Sequence, residues 1–99
     1  MPSKNQVKLM PAPTLLEELV KKLVAEPSRV RVRSQKVNEF TNHLVIQVAP
    51  FDRGKVIGKG GKTIESIRFV FMAMASLQGC KVFIEVDEPR GDRNPRTAA

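Results

Sequence analysis

One stretch of the 99-residue chain carries residue types whose spacing points to chemistry: Val56-Ile57-Gly58-Lys59-Gly60-Gly61-Lys62-Thr63-Ile64. Three glycines in four residues permit a tight turn and let backbone come close to a ligand. The apolar pattern that resumes at Ile64 places the loop at a helix N-terminus, whose free N–H groups and dipole favour an anion. Lys55, Lys59 and Lys62 add positive charge at the same place, and no acidic residue falls between Gly54 and Lys62. A phosphate is the natural guest.

Spacing decides which phosphate. Gly61-Lys62-Thr63 matches the end of a nucleotide-binding P-loop, but the glycine needed five positions before Gly61 is Val56. A dinucleotide-binding loop begun at Gly58 requires its last glycine where Thr63 stands. Both folds also need a parallel-sheet unit that a chain of this length scarcely accommodates. What remains is Ile-Gly-x-x-Gly set between two helices. A plain glycine-rich turn between helices would not need three flanking lysines.

The elements that must position this loop are legible from periodicity. Residues 1–13 are polar with three prolines, and the expectation is a flexible arm. Thr14 with Glu17 forms a capping box, and Leu15, Leu16, Leu19, Val20, Leu23 and Val24 give one buried stripe of a helix that Pro27 stops. Glu17–Lys21 and Glu18–Lys22 are expected pairs on its exposed side. Strict alternation over Arg29–Arg33 predicts a strand with Val30 and Val32 facing inward. Residues 34–42 are polar and read as a loop, although Val37 and Phe40 would let the strand run on. His43–Ala49 is the second strand. Asp52 caps a short helix over Arg53–Ile57, which Gly58 ends. A long helix from Lys62 to about Gln78 places Ile64, Ile67, Phe71 and Met74 on one side, with Phe69 and Met72 away from it. Lys81–Asp87 is the last strand, and the tail 89–99 has no hydrophobic pattern and is expected to be disordered. The order α-β-β-α-α-β predicts one α+β domain over residues 14–88, with three helices on one face of a three-stranded sheet.

Composition narrows the partner. The net charge is +7, and residues 29–62 hold eight Lys and Arg against only Glu39 and Asp52, so the basic excess surrounds the glycine loop. With no Trp or Tyr, the five Phe are the whole aromatic inventory for stacking on bases. A single Cys and a single His exclude an internal disulfide and a Cys/His zinc site within one chain. No metal, cofactor or catalytic residue is expected, since no residue pair offers nucleophile and base. No signal peptide or membrane-length apolar run is present, so the expectation is a soluble, cytoplasmic protein without membrane insertion.

The run Asp52-Arg53-Gly54-Lys55-Val56-Ile57-Gly58-Lys59-Gly60-Gly61-Lys62-Thr63-Ile64-Glu65-Ser66-Ile67-Arg68 resembles the KH domain, in the type II arrangement. With the opening Leu-Val-x-x-Leu-Val-x-x-Pro at Leu19–Pro27, it is particularly similar to the small bacterial KhpA (YlqC-type) family. The resemblance covers about residues 14–88. It implies a groove for about four unpaired nucleotides, with Gly58, Lys59, Gly60 and Gly61 at the phosphates and Ile57 and Ile64 under the bases. Arg53, Lys55 and Lys62 would add charge, and the 34–42 loop with Lys36 would form the opposite wall. It further implies an RNA chaperone or post-transcriptional regulator, a homodimer or a heterodimer with a larger KH-containing protein, and links to cell growth and shape. Two rivals stand beside this reading. One is a protein-interaction adaptor working through Phe69, the other a ribosome-associated factor that recognises folded ribosomal RNA. Arg29, Arg31 and Arg33 are either a second RNA surface or, more simply, partners of acids such as Glu85.

Overall fold

The apolar periodicities build the expected order of elements in the computed structural model, which describes residues 12–87. Helix α1 spans Ala12–Lys21, strands β1 and β2 span Arg31–Asn38 and Thr41–Gln47, helices α2 and α3 span Arg53–Ile57 and Lys62–Leu77, and strand β3 spans Lys81–Val86. One sheet holds the strands in the order β1-β2-β3. The β1–β2 pair is antiparallel around a tight turn at Glu39-Phe40, where Asn38 Oδ1 accepts the Phe40 N–H at 2.9 Å. β2 and β3 are parallel, in register from Thr41 opposite Lys81 to Ile46 opposite Val86. A parallel pair needs a long crossover, and α2, the glycine loop and α3 supply it.

Alternation sorts the two sheet faces. Leu44 and Ile46 of β2 and Val82 and Ile84 of β3 turn toward the helices. There they form one core with Leu16, Val20, Val30, Val56, Ile64, Ile67 and Phe71. Their neighbours His43, Val45, Phe83 and Glu85 lie on the other face, which no described helix covers. On that face His43 Nε2 and Glu85 Oε2 are 2.6 Å apart, and Arg33 pairs with Asp87 at 4.0 Å. An arginine–acid pairing across the sheet is therefore present, but the acid is Asp87 rather than Glu85.

The first half of the chain departs from expectation in three places. Helix α1 opens at Ala12 with Pro13 in its first turn, where a missing N–H costs nothing. Thr14 is thus inside the helix and not its cap, and Glu17 pairs with Lys21 at 3.3 Å instead of closing a capping box. Glu18 also reaches Lys21, at 3.6 Å, because Lys22 lies past the helix end.

That end comes at Lys21, well before Pro27. Leu23 and Val24 still pack on the core from the turns that follow. The cause is Asp52, whose buried carboxylate accepts the N–H groups of Ala25 and Glu26, each at 3.0 Å, and so pulls that backbone out of helical geometry. Asp52 stands at the N-cap position of α2 without making a side-chain cap there, since its oxygens are engaged across the chain. Pro27–Arg29 is a short 3-10 turn, so Arg29 lies outside the strand.

Strand β1 runs on to Asn38, with a bulge between Lys36 and Asn38. The polar stretch 34–42 is a hairpin, not a loop. The remainder of the expected arm and the tail 89–99 lie outside the described residues.

Candidate nucleic-acid interface

Helix α2 ends because Gly58 takes φ 81 and ψ 167, while its N–H still bonds the Gly54 carbonyl at 2.8 Å. Gly60 and Gly61 follow at φ 64 and φ 78, a conformation that L side chains rarely adopt. The Gly61 N–H bonds the Gly58 carbonyl at 3.0 Å, closing a turn that throws the chain into α3. No side chain caps the start of α3, but the Lys62 N–H already bonds the Lys59 carbonyl, so an outside acceptor would have to meet the N–H groups that follow. Lys59 and Lys62 are exposed beside this turn and form no salt bridge among the described residues.

Other expected members of the site are placed differently. Lys55 Nζ lies 3.4 Å from Asp52 Oδ1 and is held by that carboxylate. Arg53 Nε donates to the Asp87 carbonyl at 2.9 Å, tying α2 to the end of β3. Ile57 is half-buried at the loop, whereas Ile64 is only 5% exposed and belongs to the core, so the apolar surface near the loop is smaller than the sequence implies.

Lys36 does not join the glycine loop. It sits opposite Asn42 on β1, beside a cleft of about 740 Å³ shared with Leu77 and Gln78 at the far end of α3. Strand β1 also has β2 between it and β3, so it is not the wall facing the loop. That position falls to β3, against which α3 packs.

Two residues have contacts that their place in the sequence did not suggest. Asp52 is one. Burial pushes its carboxyl up, but the Ala25 and Glu26 N–H groups and Lys55 outweigh this and hold it below the ordinary aspartate value of 3.8. A depressed value in the folded state means stability that is present above the unfolded value and lost as pH falls through the folded one. Asp52→Asn, which leaves one of the two N–H groups facing an amide donor, is expected to lower Tm at pH 7 by about 5–10 °C. Thermal melts across pH check this: the gap between native and variant should narrow below the ordinary aspartate value. The other residue is Arg68, whose Nε donates to the Ile84 carbonyl at 2.8 Å and whose Nη1 meets Glu65 Oε2 at 2.6 Å.

A three-stranded α+β domain that threads helix, Gly-Lys-Gly-Gly turn and helix between two parallel strands has the architecture of a KH domain. The family described as KhpA/KhpB, KH domain, matches residues 13–86, and the chain belongs to that family. Among curated proteins, the RNA-binding protein KhpA of Clostridium acetobutylicum is 42% identical over 72 residues, covering 73% of this chain and 95% of that one. KhpA of Halalkalibacterium halodurans is 38% identical over 73 residues, covering 74% and 95%. KhpA of Chlamydia trachomatis is 38% identical over 77 residues, covering 76% and 95%. No solved structure gives a significant match.

Proposed function

We propose that the chain is an RNA-binding protein that holds a short single-stranded segment beside the glycine loop, with Gly58, Lys59, Gly60, Gly61 and Lys62 at the phosphates. The observation that carries this reading is the start of the 16-residue helix α3, which no side chain caps, opened by positive-φ glycines and flanked by the exposed Lys59 and Lys62, neither in a salt bridge among the described residues. Backbone N–H groups and two lysines recognise a phosphodiester without reading its base. Curated relatives at 38–42% identity are named RNA-binding proteins, which supports RNA as the polyanion. The activity is binding without chemistry, in the cytoplasm, as an RNA chaperone or post-transcriptional regulator. No helix among the described residues is long and apolar enough to cross a membrane.

Fluorescence anisotropy with labelled single-stranded oligoribonucleotides tests the reading. If about four phosphates are held, log K should fall with log salt at a slope of roughly −3. A slope near zero, or no binding at low salt, overturns it. A folded ribosomal RNA that wins over the short strand favours the ribosomal alternative.

The outer side of α3 supports a second element of the proposal. Phe69 is 75% exposed, and Val70, Met72 and Leu77 are exposed with it; none tucks under α1. Such a stripe is suited to pairing with a second KH-containing chain, either another copy or a larger protein. Pairing would set two weak grooves on one strand. The same stripe is what the adaptor alternative would use in place of the glycine loop.

A further inference from the structure

We infer that the segment Val7–Met10, which precedes the described residues, docks in the cleft at the hairpin end of the sheet and covers Phe40 there, whether or not the glycine loop holds RNA. The cleft exists because the sheet runs further than the helices that cover it. On the helix side Leu44 of β2 stands between Ser34 and Ile84, and the next row on that face is Lys36, Asn42 and Val82. Helix α1 begins at this row and α3 ends at it, and the gap between the two helix ends is the cleft of about 740 Å³.

Its walls are apolar where the helices meet it. Leu15 belongs to one wall, and Phe71, Met74 and Ala75 to the other. Phe40 completes the rim and is 60% exposed. Turn geometry does not call for this residue, because tight hairpin turns favour glycine, asparagine and aspartate. An aromatic ring at the tip has a use once something apolar lies against it.

The chain itself supplies the occupant. Ala12 and Pro13, the first described residues, already line the cleft, so residues 1–11 leave from its edge. Pro11 pushes Met10 away from helical geometry toward an extended one. In an extended chain Val7 and Leu9 share one side and Lys8 takes the other. The five residues from Ala12 back to Val7 reach roughly 17 Å, enough to cross a cleft of this volume. Apart from Met1, Val7, Leu9 and Met10 are the only large apolar side chains of residues 1–11, and they are the ones nearest the cleft. Charge does not choose the guest, since Lys36 and Lys81 line the cleft together with Glu39; the match is apolar. The matched family domain begins at residue 13. The segment is therefore an addition to that domain, and this cleft is the first apolar surface it meets.

Cys80 lines the same cleft and is the single cysteine of the chain, so its thiol reports whether the cleft is covered. The full chain and its Val7→Ser/Leu9→Ser variant are reacted with N-ethylmaleimide, an uncharged reagent, after circular dichroism has shown both to be folded. The variant should react about tenfold faster, the protection lost when a segment docked most of the time is released. In the native protein, NOEs should join the Leu9 methyls to the Phe40 ring and to the Met74 methyl. Absence of these NOEs overturns the inference, as do equal rates: the cleft then stands open in the isolated protein and is left to another molecule. A sample mixing isotope-labelled and unlabelled copies identifies whose segment is bound. NOEs found only between copies place a second chain's segment in the cleft and overturn docking of the protein's own. Should the variant not fold, the NOEs of the native protein decide.

Discussion

Lys59→Asp combined with Gly60→Asp is expected to weaken binding of short single-stranded RNA by at least about a hundredfold while leaving the domain folded. The double change swings three units of charge at the phosphates. At roughly 1 kcal/mol per charge near a solvated surface, this amounts to about 3 kcal/mol, or some hundredfold in affinity. The fold should tolerate it. Lys59 is exposed, and a side chain built at Gly60 meets no other atom within 4 Å. Aspartate accepts φ 64 at a cost of about 1 kcal/mol. Circular dichroism confirms the fold and anisotropy gives the affinity. Unchanged binding by the folded variant would move RNA contact off the loop, with the exposed arginines Arg31 and Arg33 of β1 the next surface to examine.

The neighbouring glycine behaves oppositely. Gly58→Ala should destabilise the domain by about 3–4 kcal/mol, lowering Tm by about 15–20 °C. At φ 81 and ψ 167 the backbone occupies a region essentially reserved for glycine. An added Cβ would also lie 2.1 Å from Thr63 Oγ1, 2.6 Å from Thr63 Cβ and 2.8 Å from the Thr63 backbone nitrogen. Removing the hydroxyl in a Gly58→Ala/Thr63→Ala double variant leaves the last two contacts and the backbone strain, so rescue should be partial. Gly60→Ala, with open space around it, should cost only about 1 kcal/mol. Urea denaturation of the single and double variants checks the ranking, and equal losses at Gly58 and Gly60 would refute it. One motif thus contains two kinds of glycine: Gly58 is required by the packing of Thr63, and Gly60 leaves a clear approach for a ligand.

Those elements whose pattern is set by burial could be read directly. Leu44 and Ile46, Val82 and Ile84, and the stripe Ile64, Ile67, Phe71 alternate as their surroundings require, and the helix–glycine–helix segment appears where the glycines placed it. What escaped reading was decided by partners distant in sequence. The polar run Ser34 to Asn38 is a strand because β2 offers backbone partners, and an edge strand exposed on most positions needs no apolar code. Helix α1 stops early because Asp52, 26 and 27 positions further on, captures the Glu26 and Ala25 amides. Lys55 and Arg53 look free for RNA in the sequence, but a carboxylate and a carbonyl engage them. Ile64 illustrates the remaining ambiguity, since an apolar residue one turn into a helix can face either a groove or a core, and here the core takes it.

The parallel pairing of β2 with β3 orders events during synthesis. Each residue of β3 meets a β2 partner 40 positions upstream, as Lys81 meets Thr41, whereas the β1–β2 hairpin closes around two residues. Local closure is fast, and long-range pairing waits on loop entropy and on the arrival of the strand itself. On a translating ribosome β3 is the last described element to emerge, and until it docks α3 lacks the strand it packs against. The Arg68–Ile84 contact cannot exist before then. A partly made chain consequently has lysines and glycines but no fixed spacing among them, so the candidate site is complete only when the final strand has been added.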